Sequence, residues 1–486
     1  MWSGVDFLDN FMTTPDLLTI YSVIAAATWS IIHSFKIPSQ RPSKSITQMA
    51  ILTKEEAKKI IDKVLAFSKA DEISASLTGN RTGNIRYARN SVSTSGETTD
   101  LSLSVTAVFG KKSGTATINE FDDASLEKTV RRAEEIAKLA PDNPEFMPML
   151  GAQQYVDTNA FVNNTAGINP EYRAKAAFGS IEPCSKKNLT AAGYMQDRSG
   201  FTALGNNKGL FGYNKSTFVD FSVTVRTADG TGSGFVQRDY NDVSKLNTGT
   251  ATEIAMQKAL ASVNAKALEP GKYTVILEPT AAHDLILNMM RNMDGRSADE
   301  GRSFLGKKGG LTRLGEKLLD ERVTIYSDPT NTEVPGSPFA ADGRPQEKVT
   351  WFDKGVVKNM YYSRFWAEKK GVKAVPSPDG IIFQGGNDSL ADLIKGTEKG
   401  ILVTRFWYIR TVDPQTLLYT GLTRDGTFYI ENGQIKYPVK NFRFNESPVI
   451  MLNNVEAIGK PVRTNGSLIP PLKIRDFTFT SLSDAV

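Results

Sequence analysis

Cysteine and histidine are almost missing from this sequence: Cys184, His33 and His283 are the whole supply among 486 residues. One cysteine excludes an internal disulfide and any clustered thiolate metal site, and it fits a reducing compartment. Cys184 is expected to be a small buried apolar residue. The shortage of histidine removes the ordinary base of a Ser/His/Asp set, and no nucleophile elbow or phosphate-cradling glycine loop is present in its place. Charge of one sign is also lacking. The 58 basic and 53 acidic residues leave a formal charge of +5 with no long run of either sign, so nucleic-acid binding is not expected. There is no low-complexity segment and no short-period repeat.

Long hydrophobic runs are scarce. Leu17 to Phe35 has no charged residue and is long enough to cross a bilayer as a helix. Ser, Thr and His interrupt it, however, and Asp6, Asp9 and Asp16 precede it without Lys or Arg, the reverse of a signal-peptide start. If it did insert, Lys36, Arg41 and Lys44 would hold its C-terminal side in the cytoplasm. Met49 opens Met-Ala-Ile-Leu-Thr-Lys-Glu-Glu, which looks like a natural start. Residues 1–48 are therefore expected to be an extension or leader, with a membrane anchor or a signal peptide as competing readings. The protein is expected in the cytoplasm, away from membranes.

What is present suffices for two cores, since 40% of the residues are hydrophobic and a chain of this length exceeds one ordinary domain. The pattern predicts an α+β protein of two domains, each mixing antiparallel sheet with a few helices. The boundaries fall at residues 49–270 for an N-terminal α+β domain and 271–486 for a C-terminal domain that is mostly β, divided at the Glu269-Pro270-Gly271 turn. Thr53 and Glu56 have capping-box spacing, and Ala57, Ile60, Ile61, Val64 and Leu65 recur on one helical face behind them. From about Glu72 to Asn119 alternation predicts antiparallel strands, with turns at Asn80-Arg81-Thr82-Gly83 and at Gly110 to Gly114. A second helix is expected over Ser125 to Leu139, ended by Pro141, Pro144 and Pro148. Strands follow from Leu189 to Thr227, with Gly193 and Gly200 as turn residues, then a helical stretch from about Val243 to Lys266. Further on, Tyr273 to Leu277 reads as strand and Ala281 to Met293 as helix, while Phe352 to Val356 and Ile430 to Gln434 read as hairpins, the latter with the Asn-Gly pair of a type I′ turn.

Polar residues are densest in the second half, at Asp299 to Ser303, Thr404 to Arg410, Thr423 to Gly426 and Asn441 to Ser447. Arginines beside aromatic residues suit the gripping of carboxylates or peptide backbones by forked hydrogen bonds and stacking. They suit internal salt bridges that pin strand ends equally well. The candidate acid, base or metal-facing groups are His283, Asp284, Asp299, Glu300 and Asp425, and no spacing singles out a pair. The candidate substrate-binding residues are Arg405, Tyr408, Arg410, Arg424, Arg443 and Glu446.

At these segments the sequence resembles the TldD/PmbA family, also called modulators of DNA gyrase. The resemblance runs through Ser297 to Phe304, Leu314 to Lys317 through Thr324-Ile325, Gly400 to Thr411, Tyr419 to Gly426 and Val439 to Pro448, and more weakly through Arg86 to Ser95. It covers Met49 to Val486. It implies two-domain proteins that dimerise and degrade unfolded peptides or trim modified ones, the active chain carrying His-Glu-x-x-x-His and a later cysteine as zinc ligands. Aligned from the strand Tyr273 to Leu277, those positions hold Pro279, Thr280 and Asp284; starting at His283 instead gives Asp284 and Asn288. Asn453 to Lys460, where the cysteine would fall, holds none. The resemblance thus implies a homodimer, or a heterodimer with a TldD-like subunit that supplies the zinc. This chain would bind peptide with no metal or cofactor of its own. A hydrolase with a carboxylate metal site is the alternative.

Overall fold

The protein is described by a computed structural model that covers residues 51–483, so the expectations for residues 1–48 lie outside the described residues. Helix α1, Lys54–Phe67, opens with the capping box: the Thr53 hydroxyl takes the Glu56 amide and the Glu56 carboxylate takes the Thr53 amide. Strands β1 (Glu72–Ala88), β2 (Ser91–Phe109) and β3 (Lys112–Ile118) follow, then α2 (Asp123–Leu139) and α3 (Pro170–Lys186). Strands β4 (Leu189–Asn206), β5 (Phe211–Thr227) and β6 (Ser233–Tyr240) and helix α4 (Thr248–Ala261) complete the first half. The six strands form one sheet in the order β3-β2-β1-β4-β5-β6, antiparallel throughout.

Alternate residues of the long strands face the helices. Ile73, Ala75 and Leu77 pack with Ile61, Val64 and Val130 from α1 and α2. Ile85 and Tyr87, further along the same face of β1, pack with Ala177, Cys184 and Met256 from α3 and α4. Between these two apolar clusters lies a row of charge. Glu97, Gly83 and Asp197 stand side by side across β2, β1 and β4, and Arg173 drops from α3 between the two carboxylates. Its Nε lies 2.6 Å from Asp197 and its second nitrogen 2.6 Å from Glu97.

Four expectations require correction here. Asn80 to Gly83 is continuous strand, and the chain turns at Arg89 and Asn90, with φ of 52° and 59°. Gly83 is needed because a Cβ there would meet the Arg173 guanidinium at 1.9 Å. Gly193 and Gly200 likewise lie inside β4, where a Cβ would meet the Tyr87 hydroxyl at 2.2 Å or the Asn80 side chain at 2.3 Å. These glycines serve close packing, not chain reversal. The helical stretch from Val243 is a single turn over Val243–Lys245 followed by α4, which stops at Ala261. Helix α3 was not anticipated.

The second half begins with β7 (Gly271–Leu277) and α5 (Pro279–Arg291). Three short strands, β8 (Ile325–Ser327), β9 (Val349–Asp353) and β10 (Val356–Val357), join β11 (Ile382–Phe383) and two short strands at Val462–Thr464 and Ser467–Ile469 in a six-stranded sheet. The Lys354-Gly355 turn, with φ of 47° and 76°, makes the first expected hairpin. A larger sheet is built around β7 from β12 (Lys399–Asp413), β13 (Leu418–Glu431), β14 (Gln434–Pro438), β15 (Phe442–Glu446) and, at the end, β16 (Leu472–Leu482). Strand β7 lies parallel to β12 and antiparallel to β16; β16 pairs with β15, β15 with β13, and β13 with β12. The ladder therefore closes on itself. Phe406, Phe444 and Phe477 meet inside, with ring centres 4.4 to 5.8 Å apart. Asn432 and Gly433, with φ of 52° and 74°, turn β13 into β14 as the sequence leads one to expect. The architecture is α+β, as expected.

Candidate functional site

Helix α5 starts with Pro279 in its first turn, where the missing amide costs nothing. Ala281, Ala282, Leu285, Ile286, Met289 and Met290 form the stripe that buries it. The opposite face carries Asp284, Leu287, Asn288 and Arg291, the spacing i, i+3, i+4, i+7 of one helical side. That face looks across a cleft of about 260 Å³ at Phe406, Trp407, Tyr408 and Ile409 of β12.

Strand β12 is buried up to Phe406 and largely exposed beyond it. Its register against β13 slips between Trp407 and Arg410, where Tyr408 takes a φ of 56°. A bulge of this kind re-aims side chains, and here Trp407 and Tyr408 are left 46% and 63% exposed at the cleft mouth. A second irregularity lies behind them: between Val403 and Arg405 the register slips against Asp425 and Gly426, whose φ values are 56° and 120°.

Asp425 is thereby held inward. It accepts a 2.7 Å bond from Arg405 Nε and a 2.5 Å bond from the Ser233 hydroxyl of β6. Arg405 lies 3.8 Å from the Phe235 ring centre on one side and 5.4 Å from that of Trp407 on the other. Arg424 covers Trp407 at 4.9 Å, and Arg410 covers Tyr408 at 4.2 Å. Burial pulls the Arg405 guanidinium below its usual range, and Asp425 and Asp284 oppose that pull. This stack orients Trp407 beside the cleft and commits Arg405 to Asp425.

The sequence candidates thus divide. Asp284 and Tyr408 line the cleft, and Arg405, Arg410 and Arg424 brace its aromatic wall. Asp299 lies elsewhere, taking the Trp366 indole at 2.7 Å and Lys370 at 3.0 Å. Glu300 holds Arg296 and Arg302. Arg443 is exposed on β15, and Glu446 is buried, accepting the amides of Ser447 and Thr478 at 3.0 and 3.1 Å. Burial pushes the Glu446 carboxyl up to about 6. Arg291, which lines the cleft, escaped the sequence reading; its seven-residue spacing from Asp284 was the signal available.

The donor set does not fit a zinc ion. Among the described residues no three His, Cys, Asp or Glu side chains converge as ligands. Pro279 offers no donor, and Asn453 uses its amide on the Leu318 and Val449 carbonyls. The His283 side chain is only 3% exposed, with Nδ1 3.4 Å from Asp284 and Nε2 buried without a partner. A hydrolytic zinc site needs three protein ligands around an open position, and they are not gathered here.

Three models of one family match the chain: PmbA/TldA metallopeptidase domain 1 at residues 74–137, the central domain at 172–263 and the C-terminal domain at 270–481. The metalloprotease PmbA of Escherichia coli O157:H7 is 23% identical over 88% of this chain and 98% of its own length. Among solved structures, TldE from Thermococcus kodakarensis superposes with a TM-score of 0.79 at 16% identity, covering 87% of this chain and 99% of that one. A protein described as a DNA gyrase modulator from Bacteroides thetaiotaomicron gives 0.78 at 22% identity, covering 89% and 100%.

Proposed function

The chain belongs to the TldD/PmbA metallopeptidase family, and we propose that it serves proteolysis as a subunit that grips unfolded or modified peptides without a zinc site of its own. The observation that supports this most is the open face of α5, where Asp284, Asn288 and Arg291 stand across from Trp407 and Tyr408. Aromatic faces and hydrogen-bonding side chains along a cleft suit an extended peptide. A metal that activates water at neutral pH needs a set of protein ligands that this face does not offer. The metal then comes from a TldD-like partner in a heterodimer, or the chain works as a homodimer that binds without cutting. A cytoplasmic setting belongs to the same reading. The carboxylate alternative gains nothing from Asp299, Glu300 and Asp425, each held by its own cationic partners, which leaves it Asp284 beside the buried His283.

The test is cleavage of a casein peptide by the chain alone and mixed with a family member that carries His-Glu-x-x-x-His. Cleavage only in the mixture is expected. Metal-dependent cleavage by the chain alone would overturn the proposal.

A further inference from the structure

The two charges of the cleft are open, unlike most others nearby. Asp284 keeps its side chain 33% exposed; its carboxylate lies 3.4 Å from the buried His283 ring and acts on Arg405 through space, but no Lys or Arg side chain forms an ion pair with it among the described residues. Arg291 is exposed, and the Tyr361 hydroxyl bonds to its backbone oxygen, not to its guanidinium. No carboxylate among the described residues pairs with it. By contrast, Arg405 is committed to Asp425, Arg302 to Glu300 and Arg296 to Glu145 and Glu300.

The spacing between the open charges is fixed by the helix. Seven residues of α5 separate them, which is roughly 10 Å along the axis on one face. An extended peptide advances about 3.3–3.6 Å per residue, so about three residues bridge that distance. The negative end suits an ammonium and the positive end a carboxylate, which a guanidinium holds by paired hydrogen bonds. Leu287 lies between them, with the Trp407 and Tyr408 rings across the cleft to cover side chains. Beyond Arg291 a wider cleft of about 720 Å³ continues past Asp294, Ser297 and Arg302. There one Asp294 oxygen takes the Ser297 amide and hydroxyl, and Arg302 is already paired with Glu300.

We propose that this cleft reads peptide termini, with Asp284 taking the free ammonium and Arg291 the free carboxylate of a peptide of about three residues. The inference rests on the peptide-gripping reading and deepens it: short zwitterionic peptides, the size of a breakdown product, are held more tightly in this cleft than internal segments of a longer chain.

The full chain is titrated by calorimetry with Ala-Ser-Ala, its N-acetyl form, its C-terminal amide and the doubled hexapeptide. The free tripeptide is expected to bind at least about tenfold more tightly than each of the other three, the effect of one charge-assisted contact. Asp284→Asn should erase only the penalty of acetylation, and Arg291→Gln only that of amidation. Equal binding of free and capped peptides would overturn the terminus reader and leave the peptide grip standing. Failure of every peptide to bind would overturn both.

Discussion

The charge row under the first sheet and the cleft beside α5 use the same side chains in opposite ways. Under the sheet, Arg173 is 1% exposed and is paired with both Asp197 and Glu97, with Arg81 closing the row at 2.8 Å from Glu97. Gly83 has given up its side chain to let the guanidinium in. On α5, Asp284 and Arg291 have no such partners and stand at the surface of a cleft. The first arrangement spends charge on holding strands and helix together. The second keeps charge available for something that is not part of the chain.

The contrast can be broken most forcefully at Arg173. Arg173→Met strands Asp197 in an apolar setting, and removing one partner of a buried pair typically costs about 3–5 kcal/mol. Urea denaturation should report a loss of that size; a loss below about 1 kcal/mol would mean that the row contributes no more than a surface pair.

A smaller effect follows from Glu446. Its folded carboxyl titrates at about 6 against an ordinary 4.5, so between those values the folded state holds a proton that the unfolded chain has released. Stability therefore falls as pH rises through that window, by about 2 kcal/mol in all, and changes no further above it. Glu446→Gln should flatten this part of the curve. An unchanged slope in the variant would assign the pH dependence to another group.

The smallest expected effect sharpens the contrast from the other side. Asp284→Asn and Arg291→Gln should each shift unfolding by no more than about 0.5 kcal/mol, as exposed substitutions do. A melt that drops as far as the Arg173 variant would show that these two residues support the fold.

Much of the framework could be read from sequence because its signals are local. The Thr53 capping box, the apolar stripe of α5 and the Asn432-Gly433 turn each depend on residues within a few positions of one another. Helix α3 was hidden for the opposite reason. It contains Gly179 and Pro183, and it buries Arg173 on the side where a hydrophobic residue would mark the face. The roles of Gly83, Gly193 and Gly200 were invisible because the groups that crowd them come from helix or strand partners remote in sequence. At the site, the missing zinc ligands could be counted directly, and Asp284 and Tyr408 were named. The commitment of Arg405 to Asp425, and the openness of Arg291, depend on which partners the fold brings within reach.

The central claim is that peptide binding belongs to this chain's own cleft and needs no zinc. It is tested most directly by titrating the purified chain with a casein peptide, with and without a chelator, while its zinc content is measured. The account predicts one affinity in both conditions and far less than one zinc per chain. Stoichiometric zinc, with binding lost when it is removed, would contradict it.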